Sequence, residues 1–233
     1  MRWTTSGAYA RQHVADIPFD LPHPLAQRLR TAADTEGKIA RALNALGPLS
    51  GRDVALFDLP AGSLRDQLLA TGLRPHDVTV GDPLRVELPD ESVDAIVALW
   101  GGFEGIREAD LREADRVLRP GGRLLVVHDY GRDEVSALAD AAGPQYREWS
   151  HRGGPFLRGG GFKIRVLHCF WTFPSIEDAR EFLAEAFGPK GAAAGEAMKR
   201  PRLSWNVAVY HRWRGGVVPD GMATGPGDES IPA

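Results

Sequence analysis

Residues 88–129, LPDESVDAIVALWGGFEGIREADLREADRVLRPGGRLLVVHD, decide the fold. Residues 95–99 form an unbroken apolar run, the pattern of a strand buried on both faces of a parallel sheet. Over residues 109–118, Leu111, Ala114, Val117 and Leu118 fall on one stripe at helical spacing, with Glu108, Asp110, Arg112, Glu113 and Asp115 mostly opposite. Arg119-Pro120-Gly121-Gly122 stops this helix, because proline cannot continue it and glycine permits a reversal. Residues 124–127 read as a second buried strand, which runs out at His128-Asp129-Tyr130. Strand, helix and parallel strand in about 40 residues make a right-handed βαβ unit.

The bulk properties bound what surrounds this unit. A chain of 233 residues is long enough to bury a full core as one domain. Its 43% hydrophobic and 25% charged residues are ordinary for a soluble globular protein. A net charge of −3 gives no global basic field, so neither nucleic acid nor a membrane surface is expected as a partner. Cys169 is the only cysteine, which excludes an intramolecular disulfide and a multi-cysteine zinc site and fits a reducing cytoplasm. No metal site is expected. No apolar run approaches 18 residues and the first residues lack a signal-peptide core.

Upstream, residues 1–24 mix aromatics and prolines and are expected to form a leader or lid. Residues 25–46 repeat apolar side chains at helical spacing and read as one helix, with Gly37 a point of bending. Residues 53–58 read as the first strand, ending on the carboxylate of Asp58. The turn Leu59-Pro60-Ala61-Gly62-Ser63-Leu64 leads to a short helix over 63–71, with Ser63 as its N-cap. Residues 77–82 read as the next strand, ending on Asp82, which is followed by Pro83. Between Asp58 and Asp94 there is room for one strand–helix step of about 20–30 residues, not two. Downstream, a helix is expected over 133–142. Residues 145–162 are glycine-rich and basic, with Arg152 and Arg158. Strands follow over 162–173 and 203–213, separated by a helix over 176–187 that Gly188 ends and a short helix over 191–199. Residues 215–233 are polar and expected to be disordered.

The words LPDESVDAIVALW and LREADRVLRPGGRLLVV resemble the fourth strand, helix and fifth strand of class I S-adenosylmethionine (SAM)-dependent methyltransferases. The resemblance implies a Rossmann-like, doubly wound α/β fold, with a mostly parallel sheet, an antiparallel C-terminal strand and a methyltransferase-like domain over 25–214. In that family the first strand ends in D-x-G-x-G-x-G. Asp58 and Gly62 match it, Pro60 stands at the first glycine and Leu64 at the third. One strand–helix unit is missing or abbreviated. Either the second strand is lost and Asp82 is the carboxylate near the adenine, or Asp82 is the ribose ligand and the third strand is reduced to residues 85–87.

The function expected from the resemblance is SAM-dependent methyl transfer to a small-molecule acceptor. The alternative is a methyltransferase fold that has lost this chemistry and serves as a binding or regulatory protein, or as a non-methylating enzyme. The cofactor is expected at Asp58, Pro60, Gly62, Asp82, Pro83, Trp100 and Gly101. Phe103, Glu104, Asp129, Arg152 and Arg158 are expected to contact the acceptor, and His128 and Tyr130 to move a proton. After Leu99 the chain reads Trp100-Gly101-Gly102-Phe103, not the Asn/Asp-Pro-Pro-aromatic of enzymes that methylate a flipped base. No G-x-G-x-x-G follows the first strand, which disfavours a nicotinamide dehydrogenase. Homodimer formation is left open.

Overall fold

The computed structural model describes residues 17–19, 21–100, 103, 105–138, 149–158 and 160–216. Six strands make one sheet in the order β2-β1-β3-β4-β6-β5. They are β1 (Asp53–Phe57), β2 (Arg74–Val78), β3 (Val93–Leu99), β4 (Leu118–Asp129), β5 (Lys163–Thr172) and β6 (Arg202–Trp213). The first four run parallel, and β6 lies antiparallel to both β4 and β5. Helices α1 (His23–Ala32), α2 (Lys38–Leu46), α3 (Ser63–Leu69) and α6 (Ile176–Ala197) carry core side chains on one face. Helix α4 (Glu108–Val117), the one-turn α5 (Pro155–Arg158) and the coil at 79–92 cover the other. Alternation along β4 serves both layers: Leu125 and Val127 enter the first core, Leu124 and Val126 the second. This is a three-layer Rossmann-like fold, as expected. Among the described residues no helix is long and apolar enough to cross a membrane.

The β3-α4-β4 unit follows its sequence closely. In the reversal, Gly121 has φ 77°, and a side chain at Gly122 would meet the Arg119 carbonyl at 2.9 Å. Both glycines are therefore required where the chain passes from α4 into β4.

Several elements differ from expectation. The helix over 25–46 is two helices. Asp34 takes φ 45° and Gly37 φ 66°, and the Asp34 carboxylate accepts from the N–H groups of Lys38 (3.0 Å) and Ile39 (2.7 Å) at the start of α2. The break is held from outside, because Ala33 bridges to Trp171 and the Asp34 N–H donates to the Phe170 carbonyl of β5. Gly62, not Ser63, occupies the N-cap of α3. The strand expected over 77–82 begins and ends earlier. Its register pairs Asp53 with Arg74 and Phe57 with Val78, so its partner runs out at Val78. Of the helix expected over 133–142 only residues 133–138 are described, and there a 3-10 turn spans Ser136–Leu138, with the Asp133 carboxylate accepting from the N–H groups of Ser136 and Asn206. The basic segment sends Trp149 and Phe156 into the core. The helices expected on either side of Gly188 are the two arms of α6, which kinks there at φ 58°, ψ −141°. Residues 1–16 of the expected lid and 217–233 of the tail lie outside the described residues.

The missing unit is now located. β2 pairs directly with β1, and among the described residues no strand lies beyond it. Residues 85–87 run as coil. Side chains of α4 hold this coil in place of a sheet ladder. The Val86 N–H donates to Glu113, and Arg116 donates to the carbonyls of Val86 (2.9 Å) and Leu88 (3.0 Å) and to Asp90 (2.6 Å).

Candidate cofactor and acceptor site

Four parallel strands end along one edge of the sheet, and in open α/β sheets ligands bind outside such carboxyl ends. Asp58 leaves β1 with φ 49°. Its N–H donates to the Val78 carbonyl and its Oδ1 accepts from the Val80 N–H, both at 2.9 Å, so it ties the ends of β1 and β2 together. Pro60 and Gly62 are half-buried in the turn that follows. Leu64 is half-buried too. It lines a hollow with Arg30, Ala33, Asp34, Ile39, Gln67 and Trp205, whose enclosed space of about 10 Å³ is that of a single water. The Gln67 Oε1 is buried there without a partner among the described residues.

Asp82 and Pro83 are exposed in the coil after β2. The Asp82 Oδ1 accepts from Arg107 Nη1 at 3.0 Å, and Arg107 Nε donates to Asp110 Oδ2 at 2.6 Å.

Trp100 ends β3 with φ 39°, an unfavourable backbone conformation for a bulky residue and one that tends to mark functional sites. Its ring stacks on Trp205 at 5.3 Å and 21°. Trp205 in turn donates its Nε1–H to Asp129 Oδ1 at 2.6 Å. Burial pushes the Asp129 carboxyl up to about 8, helped by the neighbouring charge of Asp133 and opposed by the Trp205 hydrogen bond and the nearby Trp100 indole.

His128, Asp129 and Tyr130 were expected over one crevice. The strand alternation separates them. Asp129 lies with the tryptophans, whereas the His128 ring packs in the second core against Trp149 (4.5 Å), Phe156 (5.9 Å) and Tyr210 (6.3 Å). Tyr130 is half-buried on that same side, with the Arg132 guanidinium 5.7 Å from its ring. Phe103 is core, edge-on to Phe57 at 5.2 Å. Arg152 and Arg158 are exposed, and Gly101 and Glu104 lie outside the described residues. Trp205, Arg107 and Asp110 were not anticipated. Only the Arg107-x-x-Asp110 spacing at a helix start carried a signal for the last two.

Residues 34–126 match the family model described as a methyltransferase domain. The matched segment takes in β1, β2, β3, α4 and most of β4. Over that segment, less than half of its length, the chain is similar to the methyltransferase domain family. Among curated relatives, the demethylmenaquinone methyltransferase of Mycobacterium tuberculosis (strain H37Rv) is 28% identical over 165 residues, covering 70% of this chain and 63% of that protein. The ubiquinone/menaquinone biosynthesis C-methyltransferase UbiE of Caulobacter sp. (strain K31) is 40% identical over 80 residues, covering 30% of this chain and 31% of that protein. The chain thus spans less than two thirds of the length of these relatives. A SAM dependent methyltransferase from Aquifex aeolicus aligns over 83% of this chain and 98% of its own, at 18% identity and TM-score 0.44.

The donor set at the carboxyl edge suits the adenosyl cofactor this family uses. Asp82 is an exposed carboxylate with only Oδ1 engaged among the described residues, and its other oxygen is a ready acceptor for a hydroxyl or amino group. Pro60 and Leu64 depart from the family's turn.

Proposed function

We propose that the chain transfers a methyl group from SAM to a small-molecule acceptor. The observation that carries this is the gathering of Asp58, Asp82 and Trp100 at the carboxyl edge of a sheet in methyltransferase strand order, within the segment matched by the family model. Asp58, Pro60, Gly62, Asp82, Pro83, Trp100 and Gly101 would hold the cofactor. When bound, SAM brings a methyl group that is already activated, so the protein's task is alignment and exclusion of water. Trp100 and Trp205 are stacked on each other and buried beneath the carboxyl edge, and Asp129 fixes the tilt of the Trp205 indole. A planar acceptor is the choice that the quinone-related names of the two curated relatives suggest. Glu104, Arg152 and Arg158 are further acceptor contacts in this reading. Tyr130 at the rim keeps its proposed part in proton movement, and His128 is assigned to packing.

The same reading puts the enzyme in the cytoplasm, acting on neither nucleic acid nor a membrane surface, with residues 1–24 as a lid. Homodimer formation is checked by light scattering. A thermal melt tests the function. SAM and S-adenosylhomocysteine at about 100 times their Kd should each add about 2.7 kcal/mol to stability and raise the melting temperature. No shift with either at millimolar concentration would count against it.

One observation favours a second reading, in which the fold persists without methyl transfer. Leu64 stands at the third glycine position and lines the small hollow beside α3. In that case Leu64→Gly should restore a ligand-induced melting shift that the natural chain lacks.

A further inference from the structure

We infer that Arg107 is a positioning residue for the cofactor edge: anchored on the buried Asp110, it holds the Asp82 carboxylate where the adenosyl part of the ligand meets it. This rests on the cofactor reading above.

Asp82 sits in a stretch with no regular structure to fix it, since residues 79–83 follow the last paired residue of β2. An exposed Arg–Asp pair alone holds two long side chains poorly, because solvent screens the charges and ordering costs entropy. The side chains of Arg107 and Asp82 are 43% and 46% exposed, so the pair by itself would not persist. Asp110 changes this. Its side chain is 4% exposed, it lies in the first turn of α4, and Arg107 donates to it from Nε at 2.6 Å. A buried carboxylate keeps its partner, because losing it leaves an uncompensated charge. The guanidinium is planar and rigid, so fixing Nε also fixes Nη1, the atom that bonds Asp82 Oδ1 at 3.0 Å. Oδ1 is thereby pinned, and Oδ2 has no bond among the described residues. The result is one carboxylate oxygen held from α4 and one left for a ligand hydroxyl or amine. Through this bond the abbreviated nucleotide half borrows its rigidity from the βαβ unit.

Calorimetric titration of the full chain with S-adenosylhomocysteine and with 5′-methylthioadenosine tests this. The second ligand keeps the adenosine and lacks the amino-acid end. Wild type should bind both. Arg107→Met should weaken both about tenfold, the effect of one ordinary hydrogen bond. Should Arg107→Met fail to fold for want of a partner to Asp110, Arg107→Lys serves: it keeps a positive charge for Asp110, lacks the fork, and should fold while losing the same affinity. Because Arg107 acts through Asp82, the double variant Asp82→Ala with Arg107→Lys should bind no more weakly than Asp82→Ala alone. Wild-type affinity in Arg107→Lys, a loss confined to S-adenosylhomocysteine, or additive losses in the double variant would each overturn the inference. Silence of the wild type toward both ligands would instead overturn the cofactor reading itself.

Discussion

The two halves of the sheet are stabilised by different physics. In the β3-α4-β4 unit the side chains of Ile96, Val97, Leu124, Leu125, Val126 and Val127 are fully buried, and apolar area drives the structure. On the β1–β2 side β2 exposes Arg74, Pro75 and Asp77, and among the described residues no strand lies beyond it. There the chain is fixed by individual polar contacts: Asp58 on Val80, Glu113 and Arg116 on the coil at 86–90, Arg107 on Asp82. Pro75 in the outer strand also blunts a sheet edge that would otherwise invite strand addition. A core unit can be removed from this fold when a neighbouring helix supplies enough side-chain donors to satisfy the backbone left behind.

Four variants grade this contrast. Leu125→Ala cuts into the apolar half and should cost about 2–5 kcal/mol in urea unfolding, with the range set by how far the cavity relaxes. Arg116→Met removes the donors that replace the lost ladder, and should cost about 1–3 kcal/mol by the same measurement. If it costs as little as a surface change, the polar half is not held as described here.

Asp129→Asn probes the one buried carboxyl at the end of the apolar half. Burial raises it from the ordinary 3.8 to about 8 in the folded protein. Between these the folded state holds a proton that the unfolded state has released. Wild-type stability should therefore fall as pH rises from about 4 to 8, by up to about 1.4 kcal/mol per unit. The asparagine variant should lack that fall, and parallel pH profiles would refute the burial of the charge. Arg112→Ala breaks only the exposed pair with Glu108 one helical turn away and should change stability by less than about 0.5 kcal/mol.

The apolar half was legible because its signals are local. Runs such as residues 95–99 and 124–127 are longer than any competing pattern, and Pro120-Gly121-Gly122 punctuates them. The polar half was legible only as a shortage of residues between Asp58 and Asp94. Which strand had gone required the register of β2 on β1, a long-range fact. The helix over 25–46 was read with a bend at Gly37, but the full break at 33–37 was not, since Asp34 is drawn out of helix by the Phe170 carbonyl of a strand more than a hundred residues away. At the site, Asp58 and Trp100 were readable as residues that follow strands, whereas Asp82, read as a strand end, lies four residues beyond the end of β2. Trp205 was not, because its approach to Trp100 and Asp129 depends on β6 lying beside β4. The separation of His128 from Asp129 followed from strand alternation, which a contiguous His-Asp-Tyr motif conceals.

The central claim is that this abbreviated half still forms a cofactor edge. Amide hydrogen exchange of the full chain, with and without S-adenosylhomocysteine, tests it most directly. The account predicts that the ligand slows exchange in residues 58–64 and 79–84 and leaves the interior of β4 unchanged. Exchange at 58–64 and 79–84 that is indifferent to saturating ligand would contradict it.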